Sequence, residues 1–75
     1  MRESSRLQYS SDLDRWQIYD VINDPVSLHC GECFEIQLGT LFLPCRIEFD
    51  KDWSIYIGKT RFHLHPSEVY TVRIV

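Results

Sequence analysis

"FEIQLGTLFLPCRIEFDKDWSIY", residues 34–56, decides the fold. Two alternating apolar runs flank Gly39-Thr40, and a glycine at the first central position is the signature of a type II′ hairpin turn. A two-residue loop fixes the register: Leu38 faces Leu41, Ile36 faces Leu43 and Phe34 faces Cys45, all on one side. Glu35 and Gln37 fall on the other side. The next turn obeys the same demand. Phe49 and Trp53 share the apolar face only if Asp50-Lys51-Asp52 forms a three-residue loop, which pairs Ile47 with Ile55 and Cys45 with Ile57. Asp52 is expected in the left-handed position usual in such loops, which Asp tolerates better than most residues. The two hairpins therefore share one long strand. Pro44 does not break it, because residues 44 and 35 form a non-hydrogen-bonded pair and the missing donor points away from that neighbour. On its other side Pro44 faces Gly58, where pairing is expected to end in a bend and a short unpaired edge.

Outward from this unit, "RWQIYD" (15–20) alternates with Trp16 and Ile18 on one face. "EVYTVRIV" (68–75) sets Tyr70, Val72 and Ile74 against Thr71 and Arg73. "LQY" (7–9) predicts a short edge strand and "SSDLD" (10–14) a turn, while 21–31 is a connection punctuated by Asn23-Asp24-Pro25. "RFHLH" (61–65) reads as a short strand or loop before Pro66. The expected fold is all-β: a small antiparallel meander of five to six strands curling into an SH3-like barrel or roll. Residues 1–6 are expected to be a flexible N-terminus and 7–75 a single β domain. The expected core holds Trp16, Phe34, Ile36, Leu38, Leu43 and Cys45, joined by Ile47, Phe49, Trp53, Ile55, Val72 and Ile74.

Composition points the same way. Alanine, the best helix former, is absent, while four Phe, four Tyr and two Trp favour strands. A net charge of −3 with interspersed signs argues against nucleic acid and anionic membranes as partners. No apolar run reaches secretory or membrane-spanning length, and three cysteines make no closed disulfide framework. A cytoplasmic protein with reduced thiols is the expectation.

"HCGEC" (29–33) invites a reading as a redox or metal centre. Redox thiols need a depressed pKa, commonly from a helix N-terminus or a cation, but here a strand follows and Glu32 stands between the thiols. A zinc-stapled domain using Cys30 and Cys33 with His63 and His65 is the alternative, since an i, i+2 histidine pair shares one face of a strand. Against it, H-x-H is not the usual ligand spacing, and the phase of Cys45 points it into the core. The simpler reading is a turn delivering the chain into the strand that begins near Glu32, with Gly31 supplying unusual dihedrals. Enzyme signatures are missing, and a small barrel offers no deep, dry pocket, so no catalysis and no cofactor are expected. Glu35, Glu48, Asp50 and Asp52 fall on the outer face or in a turn, where solvated charge is the default.

The outer face carries the functional signal. The registers set Arg46 across from Tyr56, with Phe42 and Pro44 further along the same side. An exposed aromatic, proline and arginine cluster has the composition of a protein-contact patch. Two folds of the chain are open here: a free contact face, or a second small core formed if the N-terminal segment or the 59–67 connection covers it. The expected function is a non-catalytic protein-interaction or accessory module, contacting a protein partner or a second copy through Phe42, Pro44, Arg46 and Tyr56. A weak nucleic-acid-binding module is a lesser alternative, opposed by Glu35, Glu48 and the net charge.

"LHCGECFEIQL", "CRIEFDKDWSIY", the terminal "YTVRIV" and the upstream "RWQI" resemble a family of small bacterial proteins, mostly from Firmicutes, designated a domain of unknown function (family 5348). The resemblance spans roughly residues 7–75 in order and spacing. The family pattern has an L-H-x-G-[ED] turn, an F/L-E-[IV] strand, R-I-E and W-Y. Leu28, His29, Gly31 and Glu32 fit the first element, Glu35 and Ile36 the second, and Arg46, Ile47, Glu48 and Trp53 the rest. The chain departs at the last element, with Ser54 after Trp53 and Tyr56 beyond it. The resemblance implies a small bacterial intracellular β domain and brings no activity or cofactor.

Overall fold

A computed structural model describes residues 4–20 and 24–74. At Gly39-Thr40 the chain turns back with Gly39 at φ +63° and Thr40 outside the positive region, as a type II′ turn requires. Eight strands result: β1 (Ser5–Ser10), β2 (Arg15–Tyr19), β3 (Val26–Ser27), β4 (Cys33–Leu38), β5 (Leu41–Phe49), β6 (Trp53–Ile57), β7 (Thr60–His63) and β8 (Tyr70–Arg73). Both expected registers hold: Ile36 pairs with Leu43, Phe34 with Cys45, Ile47 with Ile55, and Phe49 with Trp53. The β5–β6 ladder ends at Arg46 and Tyr56, one pair short of Cys45–Ile57, so Pro44 lies past its end.

All pairings are antiparallel, in one sheet of order β3-β2-β1-β8-β4-β5-β6-β7. The class is the expected one, but the connectivity is not a plain meander. The last strand inserts between β1 and β4 and joins a three-strand half to a four-strand half. β1 is therefore internal, paired with β2 and β8, rather than an edge. It begins at Ser5, so Ser5 and Arg6 belong to the sheet rather than to a loose terminus. The sheet is open, with β3 and β7 at its edges.

Two turn expectations are corrected. Asp52 keeps a negative φ, and the loop closes instead with the Asp50 N–H donating to the Asp52 carbonyl at 3.3 Å. Among the described residues, the non-glycine residue in the left-handed region is Asp14, at φ 53°, ending the four-residue turn between β1 and β2. The edge expected near Gly58 is also filled. Gly58-Lys59 is a second two-residue turn, and Ile57 pairs with Thr60 as β7 returns along β6.

Among the described residues there is no helix, so the apolar face of the sheet can be buried only by curling over itself. Leu7, Trp16, Phe34, Ile36, Ile47 and Val72 are at most 1% exposed at its centre. Leu28 and Leu64, from segments outside the strands, complete the core; their N–H groups donate to the carbonyls of Trp16 and Trp53 at 2.9 and 3.1 Å. The expected core was too generous at the strand ends. Leu38, Phe49 and Ile74 are exposed, and Leu43 and Trp53 are half-buried, because one curled layer covers only the middle of its strands.

Candidate functional site

The "HCGEC" segment builds a turn in a form that accounts for each of its positions. The Glu32 N–H donates to the His29 carbonyl at 3.2 Å, and Gly31, third in this four-residue turn, has φ +90°. That is a type II turn, which demands a positive φ at its third residue. Gly31 then becomes the first residue of a glycine β-bulge: its N–H donates to the Ile47 carbonyl at 2.8 Å, while the Ile47 N–H donates to the Glu32 carbonyl at 3.0 Å. Two residues of one strand thus oppose one of the other. A Glu32 carboxylate oxygen accepts from the His29 N–H at 2.9 Å, holding the turn from outside. Nothing lies within 4 Å of a Cβ placed on Gly31, so a substitution there costs conformational rather than packing energy. Gly31→Ala is expected to lower unfolding stability by about 1–2 kcal/mol, with Gly31→Asn losing less, measured by urea denaturation.

The thiols of this segment are turned to different neighbours. The Phe49 N–H donates to Cys30 Sγ at 3.2 Å, so the thiol caps the end of β5. Cys33 Sγ lies 3.9 Å from the Gly31 carbonyl. Cys45 is buried in the core, and burial pushes its thiol up to about 12. Among the described residues no group of three or more His, Cys, Asp or Glu converges in a metal-holding arrangement, so Cys30, Cys33, His63 and His65 are not brought together. His63 pairs across from Ser54 on β6, and His65 lies past the strand end with its N–H donating to the Tyr70 hydroxyl at 3.0 Å.

The outer face is brought together. Register places Arg46, Tyr56 and Arg61 in one row across β5, β6 and β7, and Arg73, Glu35 and Pro44 in another across β8, β4 and β5. The Arg46 guanidinium sits 5.5 Å from the Tyr56 ring centre and bonds Glu48 at 2.6 Å. Arg73 lies 3.8 Å over the Phe42 ring and pairs with Glu35 at 3.1 Å. A third stack, Arg6 over Tyr19 at 5.6 Å, extends the pattern onto the other half. Phe42 and Tyr56 are half-buried, while Pro44 and Arg46 are exposed. The 59–67 connection does not cover this face; its first part is β7, which widens the sheet, and Leu64 turns into the core.

Charge is segregated across the molecule. Strand positions facing outward carry Arg6, Arg15, Arg46, Arg61 and Arg73 against Glu35 and Glu48. The other described acids, among them Asp12, Asp14, Asp50, Asp52 and Glu68, lie in turns and connections. Register arguments found Arg46 and Tyr56 but missed Arg61 and Arg73, whose strands pair through a turn and a long-range contact not read from sequence. The Gly58-Lys59 dipeptide was the available signal for Arg61, since it repeats the Gly39-Thr40 pattern.

The family model described as Domain of unknown function (DUF5348) matches residues 5–74. The chain belongs to the DUF5348 family. A crystal structure of a protein from Ruminococcus gnavus is similar throughout, with a TM-score of 0.71 and 28% identity over 96% of this chain and 100% of that one. Among curated proteins none matches. The residues that carry the DUF5348 resemblance are accounted for by structure: Leu28 fills the core, Gly31 and Glu32 make the bulged turn, and Ile47 anchors it. Glu35 and Glu48 hold the outer-face arginines. At the departure from the family pattern, Ser54 is 1% exposed and accepts from Arg61 Nε at 3.0 Å. No helix of the described residues is long and apolar enough to cross a membrane.

Proposed function

We propose that this domain is a non-catalytic, cytoplasmic protein-interaction module that engages an acidic protein surface through Phe42, Pro44, Arg46 and Tyr56. The stacking of arginines on aromatic rings along the outer face carries this reading. On a chain of net charge −3, that face collects five arginines against two glutamates. Stacking pre-orders the guanidinium groups, so less side-chain entropy is lost when a carboxylate partner binds. Arginine with half-buried aromatics is also the composition of interface hot spots. Single-stranded nucleic acid uses similar residues, but one face of the Tyr56 and Phe42 rings is already taken by Arg46 and Arg73.

A second copy, with carboxylates in its loops, is the first partner to test. Light scattering at low salt is expected to show the mass rising above the 9.0 kDa monomer with concentration, and falling back with added salt. Arg46→Glu and Tyr56→Ala are expected to remain monomeric. A wild type that stays monomeric, and whose Tyr56 resonances ignore a capped oligoglutamate peptide, would contradict the proposal. So would tighter binding to an oligothymidine than to that peptide.

A further inference from the structure

The open sheet leaves a cleft of about 510 Å³ between the β1–β2 turn, the β5–β6 turn and the segment after β7. That volume lies within the range of ligand-holding sites, roughly 300–1,000 Å³. Its walls are aromatic. Phe49 and Trp53 pack at 4.9 Å between ring centres, and Tyr9 packs edge-on against the buried Trp16 at 5.6 Å. Phe49 is 49% exposed there, a large ring left partly open to solvent. Two carboxylates, Asp14 and Asp52, line the same space, and Asp14 accepts the Tyr9 hydroxyl. Lys51, His63, Leu64, His65 and Pro66 complete the lining.

We propose that this cleft receives a lysine or arginine side chain presented by an extended segment of a partner protein. Ring faces attract a cation through their quadrupole, and two carboxylates supply the complementary charge. Pro66, exposed at the rim, offers apolar surface for the methylene stem of the incoming side chain, leaving its charged head to the acids. The cleft is larger than one ammonium group, so it also takes backbone on either side. Lys51, exposed on the loop beside Asp52, makes no ion pair among the described residues and acts as the internal competitor. The site touches the outer face only at His63, shares none of Phe42, Pro44, Arg46 and Tyr56, and does not depend on their role.

The test uses capped heptapeptides identical except for a central Lys, Arg, Gln or Glu, followed by the Trp53 indole resonance at protein concentrations where the chain is monomeric. Lys and Arg peptides are expected to shift it saturably, and Gln and Glu peptides are not. Asp52→Asn should weaken the Lys peptide several-fold, whereas Lys51→Gln should tighten it about twofold; both are exposed loop changes that leave the remaining spectrum folded. Equal responses to all four peptides, no response, or weakening by Lys51→Gln would overturn the assignment. Tetramethylammonium binding as tightly as the Lys peptide would overturn the peptide segment as occupant. Arg46→Glu should leave this binding unchanged, so failure here and failure at the outer face are told apart.

Discussion

Ile47→Ala is expected to remove about 2–5 kcal/mol of unfolding stability, the range for an aliphatic side chain truncated in a packed core. Ile47 is 0% exposed and sits where the structure is most constrained. Its side chain pairs with Ile55 in the core, and its backbone closes the Gly31-Glu32 bulge from both sides. Collapse around the cavity would pull on that bulge, so relaxation is limited. A domain of this length has only about 4–11 kcal/mol in total, taking roughly 0.05–0.15 kcal/mol per residue. The variant should therefore approach unfolding at 37 °C. Leu41→Ala is the control: the same strand and face, but 62% exposed, with an expected effect within about 0.5 kcal/mol. Urea denaturation followed by tryptophan fluorescence measures both, and similar losses at the two positions would refute the packing described.

How much of this was legible depends on how far apart in sequence the partners lie. A Gly-X turn or a three-residue loop fixes which side chains face each other, so the β4–β5–β6 registers followed from residues 34–56 alone. The same turn signal at Gly58-Lys59 fixes no register by itself, because β7 has no apolar alternation: all four of its residues are exposed. The place of β8 had no local signal at all. Its Val72 pairs with Ile36 across about half of the chain and with Ser5 across most of it, and an alternating strand fits equally well beside several neighbours. That gap also hid the second half of the outer face, since Arg73 meets Phe42 and Glu35 only after β8 is inserted. Asp52 shows the reverse: loop length alone puts it in the left-handed region, but a backbone bond to Asp50 closes the turn another way.

The three thiols should separate into two that react and one that does not. Cys30 and Cys33 are exposed, whereas Cys45 is buried and its pKa is pushed up to about 12, mainly by loss of solvent and further by the nearby Cys33. The thiolate is the nucleophile, so at pH 8 only about one Cys45 in ten thousand is reactive even before access is considered. With a disulfide reagent, two equivalents are expected promptly. The third should follow at least a thousandfold more slowly, at a rate set by opening of the core, and should become fast in denaturing urea. The same shift has a thermodynamic consequence. The folded pKa lies above the unfolded value of about 9, so this contribution is complete below pH 9 and is lost as pH rises toward 12. Tyr9, raised above 10.0 chiefly by its bond to Asp14, acts in the same direction at higher pH. Urea midpoints should fall from pH 9 upward in the wild type, and Cys45→Ala should flatten that fall, most clearly between pH 9 and 10, below the range in which Tyr9 ionises. Three thiols reacting at one rate, or a Cys45→Ala midpoint with unchanged slope between pH 9 and 10, would mean that Cys45 is not held in the core between Leu43 and Ile47.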